Sequence, residues 1–126
     1  MIKKVLLIDD DIDFIEAVKN FLEAADYEVE FENRDGFAID KMKSFKPDLV
    51  LLDVVMTKEH SGFEVAEKMN ADETLKGIPV IFLTGYFIRT GSPRDNETVK
   101  KWSNIKYILD KPVKPSLLLD IIKNLK

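Results

Sequence analysis

The sequence predicts an α/β protein, a doubly wound parallel sheet with helices on both faces. Five short apolar runs alternate with amphipathic segments along the 126 residues, and three of these runs are almost continuously apolar. Strands buried on both faces have such runs, whereas a one-sided antiparallel sheet favours alternation. Right-handed crossovers between successive parallel strands then place helices on both faces of the sheet.

The predicted strands follow the apolar runs. The run at 27–31 alternates Tyr27, Val29 and Phe31 with glutamates, which is typical of a half-exposed edge strand. The runs at 5–8, 49–52 and 80–83 lack this alternation and predict central strands. The five runs occupy residues 5–8, 27–31, 49–52, 80–83 and 107–109.

The segments between the predicted strands have apolar residues at helical spacing. Apolar residues from Phe14 to Ala25 form one stripe, preceded by Asp11 as the predicted N-cap and with Asp13 in the first turn. A last helix is expected to begin at Pro115, because proline suits the first helical position. The other predicted helices lie near residues 37–45, near residues 63–70, and from Ser92 onward.

Length and composition predict one domain covering residues 1–126. The chain has no cysteine, which excludes a disulfide framework, a thiolate zinc site and a cysteine nucleophile. No apolar run approaches the roughly 20 residues of a membrane span, and no signal peptide is recognisable, so we expect a cytoplasmic protein without membrane contact. The net charge of −4 argues against direct binding of nucleic acid.

Polar residues follow the predicted central strands at their carboxyl ends. Ligands of open α/β sheets gather at that edge. Asp9 and Asp10 follow the first run, Asp53 the third and Thr84 the fourth, and Lys111 comes shortly after the fifth. Each residue alone has an ordinary explanation as a turn or cap, but their joint occurrence predicts a functional site.

Three carboxylates at one edge need positive charge nearby. At about 5 Å and an effective dielectric near 20, each like-charge pair costs roughly 3 kcal/mol. Lys111 supplies one charge, and a divalent cation would supply two. A site built from oxygen ligands favours Mg²⁺ over zinc and leaves positions for phosphate oxygens.

These residues resemble the motifs of the response-regulator receiver family of two-component signalling. The similarity covers the whole chain, and the combination of motifs is far more specific than any one of them. The motifs are Leu6-Leu7-Ile8-Asp9-Asp10, Pro47-Asp48-Leu49-Val50-Leu51-Leu52-Asp53, Pro79-Val80-Ile81-Phe82-Leu83-Thr84-Gly85 and Asp110-Lys111-Pro112.

The resemblance implies a flavodoxin-like receiver fold with strand order 2-1-3-4-5 and a role for each site residue. Asp53 is the implied phosphoacceptor. Asp10 and Asp53 would bind Mg²⁺ through their side chains, Val55 through its backbone carbonyl, and Asp9 largely through water. Lys111 and Thr84 would each contact a phosphoryl oxygen, and the Lys111-Pro112 bond is typically cis in the family.

The implied function is that of a signalling module rather than a turnover enzyme, with only self-phosphorylation and autodephosphorylation. A sensor histidine kinase or a histidine phosphotransfer protein would donate the phosphoryl group. A switching surface would then contact a downstream protein or a fused output domain. The family's switch aromatic stands three residues before the lysine, where this chain has Ile108, and Tyr107 is expected on the opposite face of the strand.

Two other functions stay open at this point. A Mg²⁺-dependent phosphohydrolase could use Asp53 as a transient nucleophile, but it would need a general acid nearby, and Val54 and Val55 offer none. A flavodoxin-like binder of flavin mononucleotide would need a phosphate loop rich in Ser, Thr and Gly after the first strand. Acidic residues stand there instead, from Asp9 to Asp11.

Overall fold

The computed structural model describes residues 2–54, 61–84 and 100–125 of the chain. Strands and helices alternate, and a short 3₁₀ turn (Asp35–Phe37) precedes the second helix. In chain order the described elements are β1 (Lys4–Ile8), α1 (Ile12–Ala24), β2 (Glu28–Glu32), α2 (Ala38–Phe45), β3 (Leu49–Asp53), α3 (Ser61–Asn70), β4 (Val80–Thr84), β5 (Ile105–Asp110) and α4 (Pro115–Asn124).

The strands form one sheet with the order β2-β1-β3-β4-β5, and every neighbouring pair is parallel. This confirms the predicted fold class and the strand order that the resemblance implied. The continuously apolar strands β1, β3 and β4 are the three interior ones. The alternating strand β2 lies at an edge, as predicted, and its Phe31 is exposed.

Two apolar clusters cover the two faces of the sheet. Alternate residues of one strand point to opposite faces, so Leu6 and Ile8 join the cluster beneath α2 and α3. Val5 and Leu7 join the cluster beneath α1 and α4. The interior strands are buried on both sides by this arrangement, which explains why their sequences do not alternate.

The predicted helix starts are observed where the structure describes them. Asp11 is the N-cap of α1, and its side chain accepts a hydrogen bond from the backbone N–H of Phe14. Pro115 opens α4. The helix predicted from Ser92 onward lies outside the described residues. Among the helices that are described, none has the length and apolar character needed to cross a membrane.

Two neighbouring residues of β5 face opposite sides of the sheet, as expected. Ile108 is fully buried in the cluster beneath α2 and α3. Tyr107 is half-buried and packs against the cluster beneath α1 and α4. No aromatic side chain therefore stands at the position of the family's switch residue.

Candidate functional site

The carboxyl ends of β1 and β3 bring three aspartates together. Asp9 and Asp10 directly follow β1, and Asp53 is the last residue of β3. Ile8 and Leu52 are partners in the β1–β3 register, so Asp9 and Asp53 occupy equivalent positions at the carboxyl edge of the sheet. One carboxylate oxygen from each aspartate lies within 4.8 Å of the other two.

The three aspartates differ in their exposure to solvent. Asp9 is 1% exposed and Asp53 5% exposed, whereas Asp10 is an exposed residue. Burial raises the pKa of Asp9 above its ordinary value of 3.8, and the interaction with Lys111 only partly opposes this increase. Burial therefore disfavours the charged form of the Asp9 carboxylate. Asp10 is the member of the cluster that is exposed to solvent.

Lys111 lies between the two buried carboxylates. Its Nζ is 2.7 Å from Asp9 Oδ2 and 3.5 Å from Asp53 Oδ2. Partial burial lowers the pKa of the ammonium group, but the two carboxylates outweigh this effect and the pKa is raised above 10.5. The Lys111-Pro112 bond is cis, as the resemblance implied.

Thr84 ends β4, the strand next to β3, and is 0% exposed. Its backbone carbonyl accepts a hydrogen bond from Lys111 N at 2.9 Å, which ties the end of β4 to the start of the Lys111 loop. Within the part of the chain that the structure describes, its buried Oγ1 has no hydrogen-bond partner. Buried polar side-chain atoms without a hydrogen-bond partner are uncommon in folded proteins.

The donor set fits a hard divalent cation. Three carboxylates converge, two of them buried, and among the described residues Lys111 is the cation that contacts them. Oxygen ligands of this kind suit Mg²⁺ better than zinc. Val55, the expected backbone ligand, lies outside the described residues.

Sequence reasoning missed two residues that shape the site. The ring of Phe14 lies beneath the Lys111 ammonium, with 4.5 Å between Nζ and the ring centroid. Gly62, the second residue of α3, packs against the backbone of Asp53 and Val54. The helical stripe assigned Phe14 to the core only. A glycine directly before the helix predicted near residues 63–70 was the available signal for Gly62.

Comparison with known proteins agrees with this geometry. The sequence model of the response regulator receiver domain matches residues 5–123. The polar-differentiation response regulator DivK of Brucella ovis is 30% identical over 125 residues, which cover 98% of this chain and 96% of DivK.

Solved structures give the same result. The chemotaxis protein CheY4 of Vibrio cholerae superimposes with a TM-score of 0.83 at 28% identity, covering 100% of both chains. A CheY-like receiver domain protein from Methanospirillum hungatei has a TM-score of 0.80 at 28% identity, covering 98% of this chain and 92% of its own. The phosphohydrolase and the flavin binder are not favoured by these similarities. The chain belongs to the response regulator receiver family and is a receiver domain of a two-component system.

Proposed function

We propose that Asp53 accepts a phosphoryl group from a phosphohistidine of a sensor kinase or of a histidine phosphotransfer protein. One observation carries the proposal. The Asp53 carboxylate ends an interior strand within 4.8 Å of the Asp9 and Asp10 oxygens and 3.5 Å from the Lys111 ammonium. An Asp53 oxygen would attack phosphorus, so that an O–P bond forms while the N–P bond of the donor breaks. The imidazole of the donor leaves and takes up a proton.

The acidic cluster supports Mg²⁺ as the cofactor. Asp10 and Asp53 would hold the ion with their carboxylates, Val55 with its carbonyl, and Asp9 largely through water. When bound, the ion supplies positive charge that compensates the incoming phosphoryl oxygens and aligns them with the attacking carboxylate. Asp10 is the exposed member of the cluster, so it is the carboxylate that solvent and an arriving ion reach first.

Lys111 and Thr84 would stabilise the product. The ammonium of Lys111 lies near Asp53, and one of its donors can turn to a phosphoryl oxygen. The hydroxyl of Thr84, buried and without an acceptor among the described residues, would donate to another phosphoryl oxygen. An unsatisfied buried hydroxyl costs about 1–3 kcal/mol, so gaining this acceptor favours the phosphorylated state.

The signalling role follows from these contacts. Movement of Thr84 and Lys111 toward the new charge would alter the surface beyond β4 and β5, and a downstream protein or a fused output domain would recognise it. We propose that residues 1–126 form one receiver domain that acts in the cytoplasm, through protein contacts and not through nucleic acid or membrane. Its only chemistry would be self-phosphorylation and autodephosphorylation.

Intact mass spectrometry after incubation with acetyl phosphate and Mg²⁺ tests the phosphoacceptor. We expect one phosphoryl group on the wild-type chain and none on Asp53→Asn. An adduct that persists in Asp53→Asn would contradict the proposal. So would a wild-type chain that neither gains a phosphoryl group nor binds beryllofluoride.

Titration with Mg²⁺, followed by amide NMR, tests the metal site. Asp10→Ala should weaken Mg²⁺ binding at least about tenfold, because it removes a carboxylate ligand. Asp13→Ala is the matched control, since Asp13 is an exposed acid in the first turn of α1 that lies outside the cluster. Equal affinities in the two variants would refute the assignment of Asp10.

A further inference from the structure

Four contacts join the start of α1 to Lys111 in a closed circuit. Asp9 Oδ1 accepts a hydrogen bond from Asp11 N at 2.9 Å, and Asp11 Oδ1 accepts one from Phe14 N at 3.2 Å. The Phe14 ring then lies 4.5 Å from Lys111 Nζ, which in turn lies 2.7 Å from Asp9 Oδ2. The residues at the start of α1 therefore link the Phe14 ring and the Asp9 carboxylate, and both groups contact the Lys111 ammonium.

The ammonium group of a lysine needs such contacts to keep one position. Its four-carbon stem is flexible, and its charge is a compact point that any nearby carboxylate attracts. Asp9 and Asp53 attract it at 2.7 and 3.5 Å. The electron-rich face of the Phe14 ring, 4.5 Å from Nζ, attracts it as well.

We propose that Phe14 is a positioning residue that holds the Lys111 ammonium between Asp9 and Asp53, ready for the incoming phosphoryl group. This inference rests on the proposed function, because Lys111 matters to the reaction only if Asp53 accepts phosphorus. Phe14 itself touches no reacting atom. Its effect on phosphorylation runs through Lys111.

If Phe14 contributed only to hydrophobic packing, an aliphatic side chain could replace it. Phe14 also belongs to the apolar stripe of α1 and packs against the cluster beneath α1 and α4. A leucine fills such a place nearly as well, but it has no aromatic face to attract a cation. Phe21 is the matched comparison, because it is a half-buried phenylalanine of the same helix packed against the same cluster.

The experiment compares Phe14→Leu, Phe14→Tyr and Phe21→Leu in the full chain. The first readout is the NMR shift of the Lys111 ε protons in the unphosphorylated protein. The Phe14 ring should hold these protons upfield, so the shift should be lost in Phe14→Leu and kept in Phe14→Tyr and Phe21→Leu. Loss of the upfield shift in Phe21→Leu, or its persistence in Phe14→Leu, would overturn the contact.

The second readout is the rate of phosphorylation by acetyl phosphate with Mg²⁺. Phe14→Leu should be about three- to tenfold slower than wild type, as expected for loss of one cation–π contact, and Phe14→Tyr should recover the wild-type rate. Equal rates in Phe14→Leu and Phe14→Tyr, or an equal loss in Phe21→Leu, would overturn the positioning role. A wild-type chain that accepts no phosphoryl group would contradict the proposed function instead, and the NMR readout would still decide whether Phe14 holds Lys111.

Discussion

Gly62 packs so closely against Asp53 that a side chain at this position would overlap with the Asp53 carbonyl oxygen. A Cβ atom at Gly62 would also lie 2.6 Å from the Cα atom of Val54. Gly62 N donates a hydrogen bond to Val54 O at 2.8 Å, so the start of α3 is tied to the residues that carry the candidate phosphoacceptor. Both obstructing groups are backbone, which cannot move aside as the tip of a side chain can.

Gly62→Ala should therefore destabilise the protein, although alanine is normally the better helix residue. We expect the free energy of unfolding to fall by about 1–3 kcal/mol, as in overpacked cores, and Mg²⁺ affinity to fall with it. Gly36→Ala and Gly77→Ala are controls, because a Cβ at either position meets nothing within 4 Å. Urea unfolding of the three variants checks this, and equal stability of Gly62→Ala and its controls would contradict it.

Asp9→Asn should stabilise the protein when divalent ions are removed with a chelator. Burial raises the pKa of Asp9, so the folded state binds this proton more tightly than the unfolded state does. The ionised carboxylate therefore costs stability at neutral pH, and the cost disappears as pH falls through the raised pKa toward the ordinary value of 3.8. The free energy of unfolding of Asp9→Asn should exceed that of wild type most at neutral pH and least near pH 3.8.

Asp13→Asn controls for net charge in this comparison, because it removes the same formal charge from an exposed position of α1. It should not stabilise the protein, since Asp13 sits in the first turn, where negative charge is favourable. Urea unfolding of both variants at several pH values is the measurement. A gain in Asp13→Asn as large as that in Asp9→Asn would assign the effect to net charge instead of burial.

The sequence predicted the strands, the sheet class and the gathering of the acids because those features depend on local patterns. Continuous and alternating runs distinguish interior strands from an edge strand, and parallel strands end at one edge whatever their order. The order 2-1-3-4-5 itself needed the resemblance, since alternation of strands and helices fits several doubly wound folds. Alternation also identified the apolar face of β2, but not how far its neighbours cover that face, and Phe31 is 42% exposed.

The sequence could not predict contacts that depend on tertiary placement. Phe14 fits the apolar stripe of α1 equally well whether or not a lysine lies over its ring. Asn70 and Asn104 are also far apart in the chain, and each is an ordinary surface residue by type. Their contact requires the end of α3 and the start of β5 to be placed side by side, which no local pattern encodes.

Asn104→Ala should lower the free energy of unfolding by about 1–3 kcal/mol, because it removes two part-buried hydrogen bonds that each contribute about 0.5–1.5 kcal/mol. Asn104 is 3% exposed. Its Nδ2 donates to Ile78 O at 3.1 Å, and its Oδ1 accepts from Asn70 Nδ2 at 3.0 Å. Urea unfolding followed by the emission of Trp102, the only tryptophan, measures the change.

The control for Asn104 is Asn124→Ala. Asn124 is exposed, and its side chain donates to Asp120 O within α4 at 2.8 Å. An exposed hydrogen bond of this kind contributes little, so the free energy of unfolding should change by no more than about 0.5 kcal/mol. Similar losses in the two variants would show that the buried contacts of Asn104 add nothing specific.

Asp72 should titrate well below an ordinary aspartate. The hydroxyl of Thr74, 2.6 Å from Asp72 Oδ1, and the ammonium of Lys43, 3.0 Å from Oδ2, lower the pKa of Asp72 to about 2. A lowered pKa in the folded state means that the ionised carboxylate favours folding. This contribution is fully present above the ordinary value of 3.8 and is lost as the pH falls toward about 2.

Substitutions at Thr74 separate the effect of its hydroxyl from that of the neighbouring charge. Thr74→Ala removes the hydroxyl, so the pKa of Asp72 should rise toward its ordinary value, whereas Thr74→Ser keeps the hydroxyl and should leave the pKa low. Carboxyl ¹³C shifts recorded during an acid titration measure the pKa in each variant. If the pKa of Asp72 in Thr74→Ala stays as low as in Thr74→Ser, the hydroxyl is not its cause, and the Lys43 ammonium and the backbone N–H of Thr74, which also donates to Asp72 Oδ1, account for it.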